Sequence, residues 1–221
     1  MRILITAGPT REPIDAVRYL SNFSSGKMGY ALASSAKARG HKVILVTGPV
    51  SQPLPKGVIV KQVVTTAEMR GAVLKYLPSA DCLIMAAAVS DYRPIKVARG
   101  KLKKSRFIGI PFAGNKAVFN LKLTLNPDIL KEVGAKFRNK ILVGFALETD
   151  NLLREAQKKL KEKNLDYIVA NSPSAFGSDK TDVVILNQQG IIKRFTKVSK
   201  KTVADYILRT LERVFSEKIC I

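Results

Sequence analysis

Asp81-Cys82-Leu83-Ile84-Met85-Ala86-Ala87 is one acid followed by an unbroken apolar run. A strand with one wet face alternates apolar and polar residues, whereas a strand covered on both faces need not. The run therefore predicts a central strand of a parallel sheet. Upstream, Arg2 to Thr6, Lys42 to Thr47 and Val58 to Val64 read as further strands, and helical spacing appears over Ser25 to Arg39 and Thr66 to Leu77. Gly40 stops the first helix, and Thr65 or Thr66 caps the second. A long loop, Ala7 to Ser24, precedes the first helix. Downstream, residues 89–125 hold no good helix. A basic loop (Lys96 to Arg106) and alternating pieces such as Ala117 to Leu123 suggest antiparallel strands or an arm there. Regular alternation resumes with helix Pro127 to Phe137, strand Lys140 to Phe145, helix Asn151 to Lys163 and strand Tyr167 to Ala170. A hairpin, Asp182 to Leu186 with Ile191 to Phe195, and a helix over Lys200 to Phe215 follow. Strands alternating with helices predict a Rossmann-like α/β fold: a parallel sheet with helices on both faces, here with an added antiparallel arm. The 221 residues suit a single domain over 1–221, with 89–125 as an arm or lid within it.

Composition narrows the function. Apolar residues make up 46 %, enough for a large core, which excludes disorder. The longest apolar stretch, Cys82 to Val89, is far shorter than the roughly 20 residues that cross a bilayer. Arg2 to Thr6 already reads as a strand with no cleavage site before it, so no signal peptide is expected. Two cysteines make no disulfide framework, which points to a reducing, cytoplasmic setting. One histidine, His41, excludes a histidine-cluster metal site and disfavours histidine acid–base chemistry. The net charge is +21, but it is dispersed and no RNA motif with interleaved aromatics accompanies it. Phosphorylated small molecules fit that charge at least as well as nucleic acid.

Ligands of open parallel sheets bind at the strands' carboxyl ends, and three polar clusters follow strands here. Ala7-Gly8-Pro9-Thr10-Arg11-Glu12-Pro13-Ile14-Asp15 follows the first, Ala86 to Tyr92 the fourth, and Phe145-Ala146-Leu147-Glu148-Thr149 the next. Ser24-Ser25-Gly26-Lys27-Met28-Gly29 opens the first helix, where free N–H groups and the dipole favour phosphate. It is not a Walker A loop, because Ser21 and Met28 stand at the required Gly and Ser/Thr positions, nor is it G-x-G-x-x-G. A serine-capped helix explains the same residues equally well. In Lys101-Leu102-Lys103-Lys104, alternation sets Lys101 and Lys103 on one face of an extended segment, suited to a triphosphate or simply to solvent. Lys159 and Lys163 share a helix face, but Glu155, four residues before Lys159, favours an ordinary surface pair. Tyr92 and Lys96 have short-chain dehydrogenase spacing, yet Pro94 between them denies the helix that pair requires.

Taken together, Ala7 to Gly29, Ala87-Ala88-Val89-Ser90-Asp91-Tyr92, Lys101-Leu102-Lys103-Lys104, Asn126-Pro127-Asp128-Ile129, Gly144 to Thr149 and Lys163-Asn164-Leu165-Asp166 closely resemble the phosphopantothenate–cysteine ligases. In many bacteria that ligase is the second half of a bifunctional flavoprotein. The resemblance implies a Rossmann-type, dimeric fold and a two-step reaction. The 4′-phosphopantothenate carboxylate is activated by CTP with magnesium (ATP in the animal branch), and cysteine then forms the amide. By resemblance, Asn22 handles the acyl nucleotide and Lys101 is the essential lysine. Ala87, Ala88, Asp91, Asn126, Pro127, Asp128, Ile129, Phe145, Lys159 and Lys163 bind the nucleotide, and Asp91 is also the candidate magnesium contact. Arg11, Ser24, Ser25, Gly26 and Lys27 are the further phosphate or phosphopantothenate candidates. Ser90 departs from the expected alanine, and no decarboxylase half is present in these residues, so a separate or fused flavin-dependent decarboxylase is an expected partner. Two other readings stand beside it: a nicotinamide-dependent oxidoreductase on the same fold class, and a basic nucleic-acid binder.

Overall fold

Strand β1 (Arg2–Ala7) pairs in parallel with β4 (Lys42–Thr47) on one side and β6 (Cys82–Met85) on the other. In the computed structural model, which describes residues 1–103, 111–112, 116–117, 120–148, 151–171 and 180–219, these are the centre of an eight-stranded sheet. Beyond β4 lies β5 (Ile59–Gln62). Beyond β6 come β11 (Ile141–Leu147), β12 (Tyr167–Asn171) and the hairpin β13 (Lys180–Asn187) and β14 (Gly190–Ser199). Pairing is parallel from β5 to β12 and antiparallel in β13 and β14.

The apolar run of β6 is split between two cores by the two-residue period of a strand. Leu83, with Leu4, Val46 and Leu142, faces α2 (Thr66–Tyr76), α3 (Ile129–Lys136) and α4 (Leu152–Glu162). Ile84, with Ile3, Ile5 and Val143, faces α1 (Lys27–Ala38) and α5 (Lys200–Ile219). Leu4, Leu83 and Ile84 are fully buried, each contributing about 1.5–3 kcal/mol relative to exposure.

The α2 start agrees with the sequence reading, whereas those of α1 and α3 differ from it. Thr65 caps α2, its side chain accepting from the Glu68 N–H. Asp128 caps α3 by accepting from Lys131, so that helix begins at Ile129 rather than Pro127. No serine caps α1: its cap is Gly26, in the left-handed region at φ 74°, with no side-chain cap bond and no acid in the first turn. The predicted loop before α1 contains a small hairpin, β2 (Arg11–Pro13) and β3 (Tyr19–Ser21). Within 89–125 the described residues contain no helix; β7 (Tyr92–Pro94) pairs antiparallel with β10 (Leu123–Leu125), and β8 (Pro111–Phe112) with β9 (Lys116–Ala117). Lys104, the end of the basic loop at Arg106, residues 118–119 of the alternating piece, and Thr149 lie outside the described residues. Tyr92 is in a strand, so the dehydrogenase-like spacing to Lys96 is accidental.

Gly134 lets α3 meet the end of α4: a Cβ there would stand 1.8 Å from the Lys163 carbonyl oxygen. At the amino ends of the strands, Glu212 on α5 binds Arg39 through two nitrogens and His41 at 2.8 Å, giving the single histidine a structural partner.

Helices α2 and α3 are joined by Glu132, which accepts from Arg70 Nε at 2.6 Å and from Lys136 Nζ at 2.7 Å. Arg70, then Lys136, holds its carboxyl at about 2, below its usual 4.5. A depressed carboxylate adds stability above its unfolded pKa and loses it as pH falls through the folded value. The melting-temperature difference between wild type and Glu132→Gln is therefore expected to be full above pH 4.5 and to shrink towards pH 2. An unchanging difference across that window would refute the pairing.

Candidate active site

The strand order reverses between β1 and β6. β1 leads outward to β4 and β5, and the chain then returns to place β6 on the opposite side of β1. Such a switch point opens a crevice at the carboxyl ends. Here the two emerging loops are fastened across it. Pro9 and Ala88 form a parallel bridge, the Thr10 N–H donates to the Ala88 carbonyl at 3.2 Å, and the Ala88 N–H donates to the Gly8 carbonyl at 2.9 Å.

Polar side chains extend this junction. The Asn22 amide donates to the Ala88 carbonyl at 2.9 Å, and the Ser21 hydroxyl to the Thr10 carbonyl at 2.8 Å. Buried Thr10 accepts from the Ser90 N–H at 2.9 Å and shares a 3.0 Å contact with Thr66. Asn126 donates to the Ser90 carbonyl at 2.8 Å and to Thr66 at 3.3 Å, while its own N–H donates to the Asp91 carbonyl at 2.7 Å. Glu12, 3 % exposed, accepts from the Thr66 N–H at 2.8 Å. Ser90, where the resemblance leads one to expect alanine, donates its hydroxyl to the Tyr92 carbonyl at 2.8 Å.

A cavity of about 830 Å³ opens beside this network. The β3–α1 turn contributes Asn22, Ser24, Ser25, Gly26 and Lys27. The segment after β6 adds Ala87, Ala88 and Asp91. Asn126, Pro127, Asp128 and Ile129 come from the start of α3, and Phe145 from β11. Lys159 and Lys163 come from α4. The first turn of α1 lacks a side-chain cap, so its amides and dipole remain for an anion.

The two α4 lysines are not a surface pair. Lys159 reaches Glu148 at 2.5 Å instead of Glu155, and Lys163 reaches Asp128 at 2.8 Å. Burial pushes the Asp128 carboxyl up, but Lys163 and the Lys131 amide outweigh it and hold it below its ordinary range. Asp91 is exposed and has no ion-pair partner among the described residues. Cys82 is fully buried, and burial pushes its thiol far above the ordinary range, which removes it as a nucleophile.

Two candidates lie elsewhere. Arg11 stacks over Tyr19 at 4.6 Å and lines a second cavity of about 980 Å³, across the Ser21–Ser25 turn towards β4 and β5. Lys101 is exposed and lines neither cavity of its own chain. Sequence reasoning missed Glu148 as the partner of Lys159, and the Thr10–Thr66 contact. Thr66 was visible as a candidate cap, but nothing local shows that a residue 56 positions away binds it.

A mostly parallel sheet with a fastened switch point and a lysine-lined cavity above it defines a doubly wound α/β domain with a crevice at its strands' carboxyl ends. The chain belongs to the family described as DNA/pantothenate metabolism flavoprotein C-terminal domain, whose model matches residues 1–214. It is 41 % identical over 212 residues to the coenzyme A biosynthesis bifunctional protein CoaBC of Borreliella burgdorferi, covering 95 % of this chain and 52 % of that protein. It is 44 % identical over 214 residues to CoaBC of Bacillus subtilis, covering 95 % and 50 %. The chain thus spans about half the length of these curated relatives. The crystal structure of the C-terminal domain of a CoaBC protein superposes with a TM-score of 0.81 at 38 % identity, covering 98 % of this chain and 96 % of that one.

Removing the Asn126 side chain takes the shorter of two side-chain hydrogen bonds from the Ser90 carbonyl, leaving that from Thr66 at 3.5 Å. Asn126→Ala is expected to lower stability by about 1–3 kcal/mol in denaturant unfolding. A variant as stable as wild type would show that these bonds do not hold the rim.

Proposed function

We propose that this chain is a phosphopantothenate–cysteine ligase domain that uses CTP. The carboxylate oxygen of 4′-phosphopantothenate attacks the α-phosphorus, pyrophosphate leaves, and an acyl cytidylate forms. The amine of cysteine then attacks the acyl carbonyl, CMP leaves with the bonding electrons, and the amine proton is lost. The observation that supports this reading is the convergence of most of the family-matching segments, the one at Lys101 excepted, around one cavity that also receives an uncapped helix start and the α4 lysines Lys159 and Lys163.

The residue roles follow from their chemistry and positions. The α1 start, with Ser24, Ser25, Gly26 and Lys27, suits a phosphate. Asn22, an uncharged donor beside Ala88, suits an acyl or phosphoryl oxygen. Ala87 and Ala88, with no side chain beyond Cβ, leave room for the nucleotide beside the fastened backbone, and Phe145 offers a face to the base or ribose. Asn126, Pro127, Asp128 and Ile129 border the nucleotide, while Lys159 and Lys163 supply positive charge. Lys101 stabilises the charge that grows on the phosphate in the transition state.

Magnesium usually keeps several waters and takes one or two carboxylates beside phosphate oxygens. The described residues hold no group of three His, Cys, Asp or Glu suited to a metal, while Asp91 offers one unpaired carboxylate on the cavity. That donor set fits an ion carried mainly by the nucleotide, with Asp91 as its protein contact; when bound it would neutralise phosphate charge.

A second copy of the chain completes the proposal. Tyr92, Ile95, Leu123 and Leu125, on and beside the β7–β10 ribbon, are exposed, and Lys101 lies outside its own cavity. Packing two ribbons together would bury the apolar side chains and bring basic loops near both sites. Among the described residues no helix is long and apolar enough to cross a membrane. A cytoplasmic setting, and a flavin-dependent decarboxylase, fused or separate, to consume the product, complete the reading.

Pyrophosphate release is expected with phosphopantothenate and CTP, with the amide formed only when cysteine is added. Preference for ATP over CTP in a nucleotide panel would correct the nucleotide, and no release with any nucleotide would overturn the ligase. Lys101→Gln is expected to lower kcat at least about 100-fold with an unchanged melting temperature. Sedimentation is expected to give twice 24.3 kDa for wild type and a monomer for Leu125→Asp; a monomeric wild type would refute the shared site.

A further inference from the structure

Asp15 lies in the turn between β2 and β3, and its carboxylate is buried. One oxygen accepts from the N–H groups of Val17 and Arg18, each at 2.8 Å. The other accepts from Arg18 Nε at 3.0 Å, from Arg18 Nη2 at 2.5 Å, and from the N–H of Leu102 at 3.0 Å. Arg18 Nη2 also donates to the Leu102 carbonyl at 2.9 Å. Both backbone polar groups of Leu102 are thus gripped by one ion pair. Leu102 directly follows Lys101. A further bond, Ala98 N–H to the Ile14 carbonyl at 3.0 Å, ties the same segment to the same turn.

This pattern exceeds what the turn alone requires. The Val17 and Arg18 amides would suffice to fold a short Asx-type turn. Instead, the remaining oxygen reaches across 87 residues of chain, and the guanidinium across 84, to hold a solvent-facing segment. The hairpin so used is the one whose far strand runs into Ser21 and Asn22, already fastened to Thr10 and Ala88. One rigid piece therefore carries the Asn22 amide at one end and the Lys101 backbone at the other. The Lys101 side chain itself is exposed and makes no ion pair among the described residues. A long lysine side chain loses much of its value in catalysis if its Cα also wanders, and misplacement by about 1 Å costs roughly 100-fold in rate.

We propose that Asp15, acting with Arg18, is a positioning residue for Lys101: the pair latches the Lys101–Leu102 backbone to the β2–β3 hairpin and so fixes the point from which the Lys101 ammonium reaches the reacting phosphate. The proposal rests on the reading of Lys101 as the working lysine given above. The Arg18 guanidinium, followed by the Leu102 amide, holds the Asp15 carboxyl far below its ordinary range, so the latch stays charged through mild acid.

Asp15→Asn tests it, because an amide cannot present two accepting oxygens to Arg18 and Leu102 together. Hydrogen exchange, read by mass spectrometry over 98–103, is expected to speed up about tenfold or more while α1 and the central strands keep wild-type protection. With phosphopantothenate, CTP and cysteine, kcat is expected to fall about 10- to 100-fold with KM for CTP changed less than about threefold. On a Lys101→Gln background the same substitution is expected to cost no further rate, because the group it positions is already gone. A full additional loss in the double variant, or normal exchange over 98–103 in Asp15→Asn, overturns the proposal. If Asp15→Asn does not fold, Arg18→Gln, which keeps the buried carboxylate and its backbone donors, takes its place with the same two readouts. Full activity of Lys101→Gln would refute the role of Lys101, whereas a dead Lys101→Gln beside a fully active Asp15→Asn refutes the latch alone.

Discussion

The bridge between Pro9 and Ala88 is the contact on which the site depends. Two loops leaving adjacent parallel strands in the same direction have no ladder partner once the strands end. Their backbone groups must find water or each other, because unpaired polar groups cost free energy wherever they are buried. The Thr10–Ala88 and Ala88–Gly8 hydrogen bonds resolve this by continuing the sheet for one more step without its regular geometry. The loops then diverge over a floor already built, and the cavity is a consequence of that divergence.

Side-chain polarity at the rim divides between structure and chemistry. Thr10, Glu12, Thr66 and Asn126 spend their hydrogen-bonding capacity on backbone groups and on one another. Such a buried network is costly when incomplete and rigid when satisfied. Asp91, by contrast, has no ion-pair partner among the described residues, and the first turn of α1 has no side-chain cap. The exposed Asp91 carboxylate and the open start of α1 therefore sit beside neighbours whose polar groups are largely committed within the protein.

Much of this was legible in the sequence. The β6 run and the period-3.6 helices report burial, and burial is what the sheet and helices respond to. The three rim segments were visible because each follows a strand. The hairpin β2–β3 was not visible: three-residue strands carry too little periodicity, and a distant residue, Leu102, shares the carboxylate that organises its turn. Serines ahead of α1 suggested a side-chain cap, yet Gly26 adopts a left-handed conformation and leaves the helix start open. Spacing along α4 shows which residues share a face but not what faces them, so Glu148 and Asp128 could not be anticipated as partners of Lys159 and Lys163.

The outer strands of the main sheet bear on association. β14 forms one border and carries Lys193, Arg194 and Lys197; β5 forms the other, is four residues long and carries Lys61. A border lined with like charge repels its own image, and a short one offers few rungs to join. End-to-end growth of the sheet into filaments is thereby discouraged at both margins. Contact between molecules is steered away from the margins of the sheet.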